Sequence, residues 1–287
     1  MNNEKYNNKK IVIVDNNSFM HDDESKLSGL TIIKNHANYG YAGGNKRGID
    51  FAIEQGAELI WILNPDCIVK DDGLTRLVEY YLTNKKVILG SLVYSTAGEI
   101  NFGGSRIVGK GIFKDIRFNR KVKQYGKDGH AKKTEKVSVV NGMSFLIPTE
   151  IIKKYGFMDQ KYFLYAEEHD YCLRLRENGI YSVIVPNSIV WHQMHGATKN
   201  QSGMNKILKY YKTRNRFILI KKHFGFYPLL KMIARLSMMA CYDFFTKRGS
   251  ERYVIFDAFF DAITEQMGIS GKYNPDVYYK KEMDLNF

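Results

Sequence analysis

Leu59-Ile60-Trp61-Ile62-Leu63-Asn64-Pro65-Asp66 decides how this chain is read. Leu59 to Leu63 is a short apolar run and reads as a buried strand. Pro65 has no N–H for a ladder, so the strand ends before it. Asp66 then stands at the C-terminal edge of a sheet, where open α/β sheets bind their ligands. A carboxylate held there can bind a divalent cation, and the cation can bind a diphosphate. The plainer alternative is a turn whose Asp66 only caps a following helix, since Asp71 and Asp72 come next.

The flanking sequence repeats the pattern. Ile11 to Val14 is a β-branched run that stops at Asp15-Asn16-Asn17-Ser18, a turn cluster. Leu30 to Ile33 predicts a second strand. Asn38-Tyr39-Gly40-Tyr41-Ala42-Gly43-Gly44-Asn45 leads into a helical pattern through Ile49, Ile53 and Ala57. A glycine-rich loop opening a helix suits backbone approaching a ligand. Helix over 74–82, strand over 87–94, strand-like residues over 137–148 broken at Asn141-Gly142, and helix over 151–155 follow. Glu167, Glu168 and Asp170 open a further helix, with Gly179 as its cap. Tyr181 to Val185 reads as a strand closed by Pro186, with Val190-Trp191-His192 beyond it. Residues 95–136 read as a hairpin and mobile loop. Alternating strands and helices predict an α/β fold with a mainly parallel sheet flanked by helices.

A net charge of +13 predicts an acidic partner: a phosphorylated substrate, anionic lipid or nucleic acid. Cys67, Cys172 and Cys241 have no paired spacing, which argues against disulfides or a zinc site and suits a reducing cytosol. The polar start (Asn2, Asn3, Glu4, Lys5) predicts no signal peptide, and no apolar stretch is long enough to span a bilayer. Residues 205–235 interleave Lys and Arg, Arg214 among them, with aromatics and hold no Asp or Glu. The pattern predicts helices lying on an anionic membrane. Its alternative is helices packed on the main domain with a solvated basic face. The chain divides accordingly into a catalytic domain over 1–204 and a basic helical tail over 205–287, and no nucleic-acid reading motif is present.

Three patterns carry chemistry. Asp15, the glycines at 40–44 and Asp66 all fall at strand ends or just after them, and so share one sheet edge. Their spacing is neither a dinucleotide fingerprint nor a P-loop. Glu167, Glu168 and Asp170 crowd like charges into one turn, which raises at least one pKa and suits a general base. An ordinary acidic first turn is the alternative. His192 and His195 lie beyond a strand and suit metal or phosphate, though a lone histidine is more often structural.

VDNNS at 14–18, NYGYAGGNKRGI at 38–49, NPD at 64–66, NGMSF at 141–145, GFMDQKYFLYAEEHDYCLRLRENG at 156–179 and WHQMHGAT at 191–198 occur in this order. Together they resemble a family 2 glycosyltransferase of the GT-A fold, in its rhamnosyltransferase-like branch. KYYKTRNRFILIKKHF resembles the tail that follows in that branch. The resemblance implies inverting, metal-assisted transfer of a sugar from a nucleotide-sugar, dTDP-rhamnose or a UDP-sugar, to a polysaccharide or lipid-linked glycan acceptor. It places the protein in the cytoplasm, peripheral on the inner face of the cell membrane. It implies that Asp15 reads the base, and that Asn38, Gly43 and Gly44 lie beside the nucleotide. Asp66 matches the last acid of a metal-binding Asp-x-Asp whose first position is Asn64 here. His192 matches a histidine near Mg or Mn and the diphosphate. Glu168 matches the base that deprotonates the acceptor, with Asp170 as the alternate.

One departure matters. The family has a strand and helix before its VDNNS strand, and here only Met1–Lys10 precede Ile11. Loss of that strand leaves a gap in the sheet and unpaired backbone groups, each costing about 1–3 kcal/mol when buried. A remnant that binds nucleotide or glycan without turnover is the competing expectation.

Overall fold

β1 (Val12–Asp15) and β2 (Thr31–Lys34) pair in parallel, as their β-branched composition favours. The computed structural model describes residues 8–18, 29–95, 100–109, 112–115, 134–193, 202–245, 249–278 and 280. Expectations for His195 and for the loop over 116–133 fall outside these residues. α1 (Gly40–Glu54) leads to β3 (Leu59–Leu63), whose end at Leu63 agrees with the place of Pro65. β4 (Cys67–Val69) and α2 (Gly73–Thr83) follow. Asp66 is seven residues before α2 and does not cap it.

β5 (Val87–Ser95), β6 (Ile100–Phe102), β7 (Ser105–Ile107), β8 (Phe113–Asp115), β9 (Glu135–Val137) and β10 (Ser144–Pro148) come next. Then α3 (Thr149–Tyr155), α4 (Glu167–Glu177) and β11 (Tyr181–His192) complete the sheet-bearing part. The main sheet runs β3-β10-β5-β11-β4, with β6 on β5 and β9 on β11. It is mixed rather than mainly parallel. β5 and β11 are parallel, whereas β10 runs against both β3 and β5. β10 starts opposite the end of β3, with Ser144 facing Leu63, after the Asn141-Gly142 turn, and so runs in the opposite direction. The expected stop at Pro186 is corrected too. β11 continues past it through a register shift between Val185 and Ile189, because a bulge tolerates a residue without an N–H.

β1 and β2 form a sheet of their own and do not pair with β3. α1 packs on both sheets and bridges the break. Ile60, Ile62, Ile88, Phe145, Ile147 and Tyr171 fill the core on one face of the main sheet. Leu74, Leu77, Leu89 and Leu146 fill the other face beneath α2. Between the layers Ser144 donates to Ser91 at 2.7 Å, Ser91 meets Ser188 at 2.7 Å, and Trp61 Nε1 donates to Ser144 at 3.0 Å. These buried hydroxyls are satisfied by one another.

α5 (Ser202–Phe224), α6 (Phe226–Phe245) and α7 (Gly249–Ile263) close the chain. α5 packs on α7, and Met204, Ile207, Tyr210 and Tyr211 bury against Phe163, Val254, Ala258 and Tyr273. Arg214, part of the expected basic surface, is only 1% exposed. For α5 the structure follows the packed alternative. No helix among the described residues is long and apolar enough to cross a membrane.

Candidate active site

Sheet register builds the first half of the site. β11 pairs with β4 so that His192 faces Cys67, and with β5 so that His192 faces Ser95. Gln193 N–H donates to Asp66 O at 2.9 Å. His192 Nε2 then lies 3.0 Å from Asp66 Oδ2. Asp66 Oδ1 is buried and has no partner, although a buried carboxylate oxygen ordinarily has one. That orphaned oxygen fits a divalent cation. Among the described residues no group of three or more His, Cys, Asp or Glu is placed to hold a metal ion by itself. Asp66 and His192 would hold the ion, with phosphate oxygens and water completing its shell. Asn64 is fixed through its backbone, its N–H donating to Met143 O at 3.1 Å and its carbonyl accepting from Cys67 N–H at 3.2 Å. Burial, with the Asp66 charge beside it, pushes the Cys67 thiol up to about 12, which leaves it no nucleophilic role near neutral pH.

Tyr41 joins this half to the acids of α4. Its hydroxyl donates to Gly142 O at 2.5 Å, and a Cβ on Gly142 would strike the Tyr41 ring. Burial and the charges of Glu168, Glu167 and Cys67 hold the phenol well above its ordinary value. One side chain therefore feels the residue after Asp66 and both glutamates.

The three acids of α4 are not equivalent. Glu167 is buried, and its Oε2 has no partner. Burial first, then the Glu168 charge, raises its pKa well above the usual value, which favours the neutral carboxyl. Glu168 is mostly buried yet keeps an accessible side chain, with His169 Nδ1 at 3.5 Å from its Oε1. Asp170 points the other way and is 0% exposed. Its Oδ1 accepts from His223 Nε2 at 2.7 Å and from Lys222 Nζ at 2.8 Å, and its Oδ2 accepts from Arg174 Nε at 3.0 Å. Burial alone would raise the Asp170 carboxyl, but these donors outweigh it and hold it at about 2. Asp170 as the alternate base does not fit this geometry. It is an anchor between α4 and α5, because three donors already surround it and so low a pKa makes a weak base.

Glu167→Gln tests the neutral state of that residue. A raised folded pKa means the unfolded chain releases its proton first, so wild-type stability falls as pH rises above the usual carboxylate value. Gln carries no such proton. The Tm of the variant minus that of wild type is expected near zero at pH 4 and positive by a few degrees at pH 7. A difference that does not change with pH contradicts a buried neutral Glu167.

The loop before α4 is strained and held from outside. Phe163, Tyr165 and Ala166 have φ of 65°, 69° and 74°, a region costly for side-chain-bearing residues. Asn215 Nδ2 donates to Tyr162 O, Leu164 O and Tyr165 O at 2.8, 2.8 and 2.9 Å. Arg214 donates to Tyr162 O at 3.0 Å and to Gly268 O at 2.9 Å. Both sit in the basic stretch, and neither was singled out from the sequence as a site residue. The sequence signal was the Arg-Asn pair without any acid nearby.

The remaining predicted residues lie at the ends of β1 and β2. Asp15 Oδ1 accepts from Ser18 N–H at 2.8 Å and from Ser18 Oγ–H at 2.7 Å. Asn38 Oδ1 accepts from Asn16 Nδ2 and from Gly40 N–H, both at 3.0 Å. Gly40 has φ 71°, and a Cβ there would collide with Phe163 O. Gly43 and Gly44 lie inside α1, where a Cβ would press on Tyr39 and Asn16. Their smallness admits close packing. The N–H groups at the helix start are taken as well: Tyr39 by Asn16, Gly40 by Asn38 and Tyr41 by Phe163 O. The last of these contacts joins the start of α1 to the loop that precedes α4.

A sheet flanked by helices, with acids gathered at one edge, is the architecture of GT-A nucleotide-sugar transferases. Staphylococcus aureus TarS residues 1–349 in complex with UDP-GlcNAc superposes with a TM-score of 0.54 at 13% identity, covering 91% of this chain and 74% of that one. GalNAc-T7 with UDP, GalNAc and Mn2+ gives a TM-score of 0.50 at 16% identity, covering 73% of this chain and 44% of that one. The sequence model of Glycosyl transferase family 2 matches residues 1–156, more than half of the chain. The chain belongs to that family and is a glycosyltransferase. It is 23% identical to the dTDP-rhamnosyl transferase RfbF of Shigella flexneri over 76% of this chain and 73% of that protein. It is 25% identical to the low-salt glycan biosynthesis hexosyltransferase Agl10 of Haloferax volcanii over 60% of this chain and 54% of that protein.

Proposed function

We propose that this glycosyltransferase moves a deoxyhexose, rhamnose first, from a nucleoside diphosphate sugar to a hydroxyl of a polysaccharide precursor or lipid-linked glycan, with inversion. The observation that carries the reading is the Asp66–His192 pair at the sheet edge, with Asp66 Oδ1 buried and unpartnered; Glu168 and Cys67, the residue after Asp66, both act on Tyr41. Glu168 takes the proton of the acceptor hydroxyl. The acceptor oxygen attacks the anomeric carbon as the bond to the diphosphate oxygen breaks on the opposite face, which inverts the centre. Asp66 and His192 would hold Mg or Mn, which would supply positive charge against the departing diphosphate. Asn38 and Asp15 line the nucleotide end, and the Asn141–Met143 turn orients Tyr41. The name of the Shigella relative supports dTDP-rhamnose as donor, and the TarS complex keeps UDP-sugars as the alternative.

In this reading the protein works in the cytoplasm on the inner membrane face. α6 supports it, presenting Phe226, 74% exposed, with Tyr227 and Leu230 beside Lys231 and Arg235. Apolar and cationic groups side by side suit an anionic lipid surface.

The test is release of dTDP or UDP from nucleotide-sugars by the purified chain with Mn2+ and a lipid-linked acceptor. Asp66→Ala, or removal of divalent ions with EDTA, is expected to lower the rate about 100-fold, the loss typical when a metal-site contact is removed. A wild-type rate in Asp66→Ala overturns the site. Nucleotide binding without release supports the non-catalytic remnant, which the break between β1 and β3 favours.

A further inference from the structure

Beyond α7, the segment over 270–278 packs on α5 and α7 and reaches the Asn38 loop. Asn38 Nδ2 donates to Asp276 Oδ1 at 2.8 Å across a separation of 238 residues. Asp276 is held in place locally. Asn274 Oδ1 accepts from the Asp276 N–H at 2.9 Å, and Pro275 follows it, the pairing of a cap residue and a proline at the start of a helical turn. The segment is also bolted to the helices beneath. Ser270 N–H donates to the Tyr211 hydroxyl at 2.9 Å. Tyr273 stacks on Tyr210 with centroids 4.3 Å apart and donates to Asp257 at 2.6 Å. Tyr278 presses on Gly203, where a Cβ would collide with its ring. The same short segment therefore touches the Asn38 loop and the start of α5, the helix that follows His192 in the chain.

We propose that residues 270–278 form a wall of the nucleotide-sugar site, with Asp276 as a positioning residue for the donor. The inference rests on the donor-site reading above. The Asn38 amide has two ends, and each is fixed by a different partner. Its oxygen takes Asn16 and the Gly40 N–H, which sets the start of α1. Its nitrogen is held by Asp276 alone among the bonds seen here, and this decides which way round the amide stands. Asp276 does not belong to the reacting centre at Asp66 and Glu168. Its loss is therefore felt in donor binding and not in the bond-breaking step.

The experiment is steady-state kinetics of the full chain with the nucleotide-sugar varied, together with titration of dTDP and UDP. Asp276→Ala is expected to raise the KM for the donor and the Kd for its nucleoside diphosphate about tenfold, with kcat within twofold. Asp276→Asn keeps an acceptor oxygen and is expected to return both constants to within twofold of wild type. Asn274→Ala, which only loosens the turn, shifts KM in the same direction by a smaller factor. Unchanged KM and Kd in both Asp276→Ala and Asn274→Ala overturn the inference while leaving the donor site standing. So does a fall in kcat without a change in KM. Failure of the wild-type chain to bind either nucleotide overturns the donor-site reading itself, and the inference with it.

Discussion

Glu168→Gln is expected to lower turnover about 1000-fold while leaving the Tm and the affinity for dTDP or UDP at wild-type values. General-base catalysis by a placed carboxylate contributes about 10²–10⁴-fold. Gln keeps the volume of the side chain but cannot take the acceptor's proton. The structure limits which acid of α4 does this. Glu167 is buried, which favours its neutral form, and Asp170 is enclosed by His223, Lys222 and Arg174. Glu168 alone among the three combines an accessible side chain with the lack of an enclosing set of donors, and its charge reaches Tyr41. A Glu168→Gln enzyme with more than a tenth of wild-type turnover removes Glu168 from the mechanism. A Glu168→Gln protein with a much lower Tm makes its role structural.

Asn215→Ala is expected to cost about 3–4 kcal/mol of stability and most of the activity. The amide nitrogen serves three carbonyls of the loop 162–165, and its oxygen takes Arg214 Nε–H at 2.9 Å. Tyr162 O keeps Arg214 and the Leu164 N–H, whereas Leu164 O and Tyr165 O lose the Asn215 donor, and a buried carbonyl left unpaired costs about 1–3 kcal/mol. At roughly 2 °C per kcal/mol for a chain of this size, the Tm falls by about 6–8 °C. The loop relaxes from its positive-φ geometry, and Glu168, two residues beyond Ala166, moves with it. Thermal denaturation and turnover measured on one preparation check both parts. An Asn215→Ala protein with wild-type Tm shows that the loop holds its own shape.

Much of the framework was legible in the sequence because it is local. The end of β3 before Pro65 follows from a missing N–H, and the acidic opening of α4 from the helix dipole. The direction of β10 was not legible, since an apolar run reads the same in parallel or antiparallel pairing. Pro186 misled for a related reason: whether a proline ends a strand or sits in its bulge depends on the neighbouring strand. The basic stretch of α5 misled most. Arg214 looks like any surface arginine until the carbonyls of residues 162 and 268 come to meet it.

By itself, the sequence determined the kinds of element, where several of them stop, and the ordered motifs that mark the family. Only the tertiary structure decided which acids matter together. Asp66 meets His192 through the register of β11 with β4, and register is set by pairing between distant segments. The same packing made Asp170 an anchor, buried Glu167 beside Glu168, and brought Asp276 to Asn38. Periodicity along a chain specifies which face a side chain occupies. It carries no information about what lies opposite that face, and the chemistry of this site is made of those opposites.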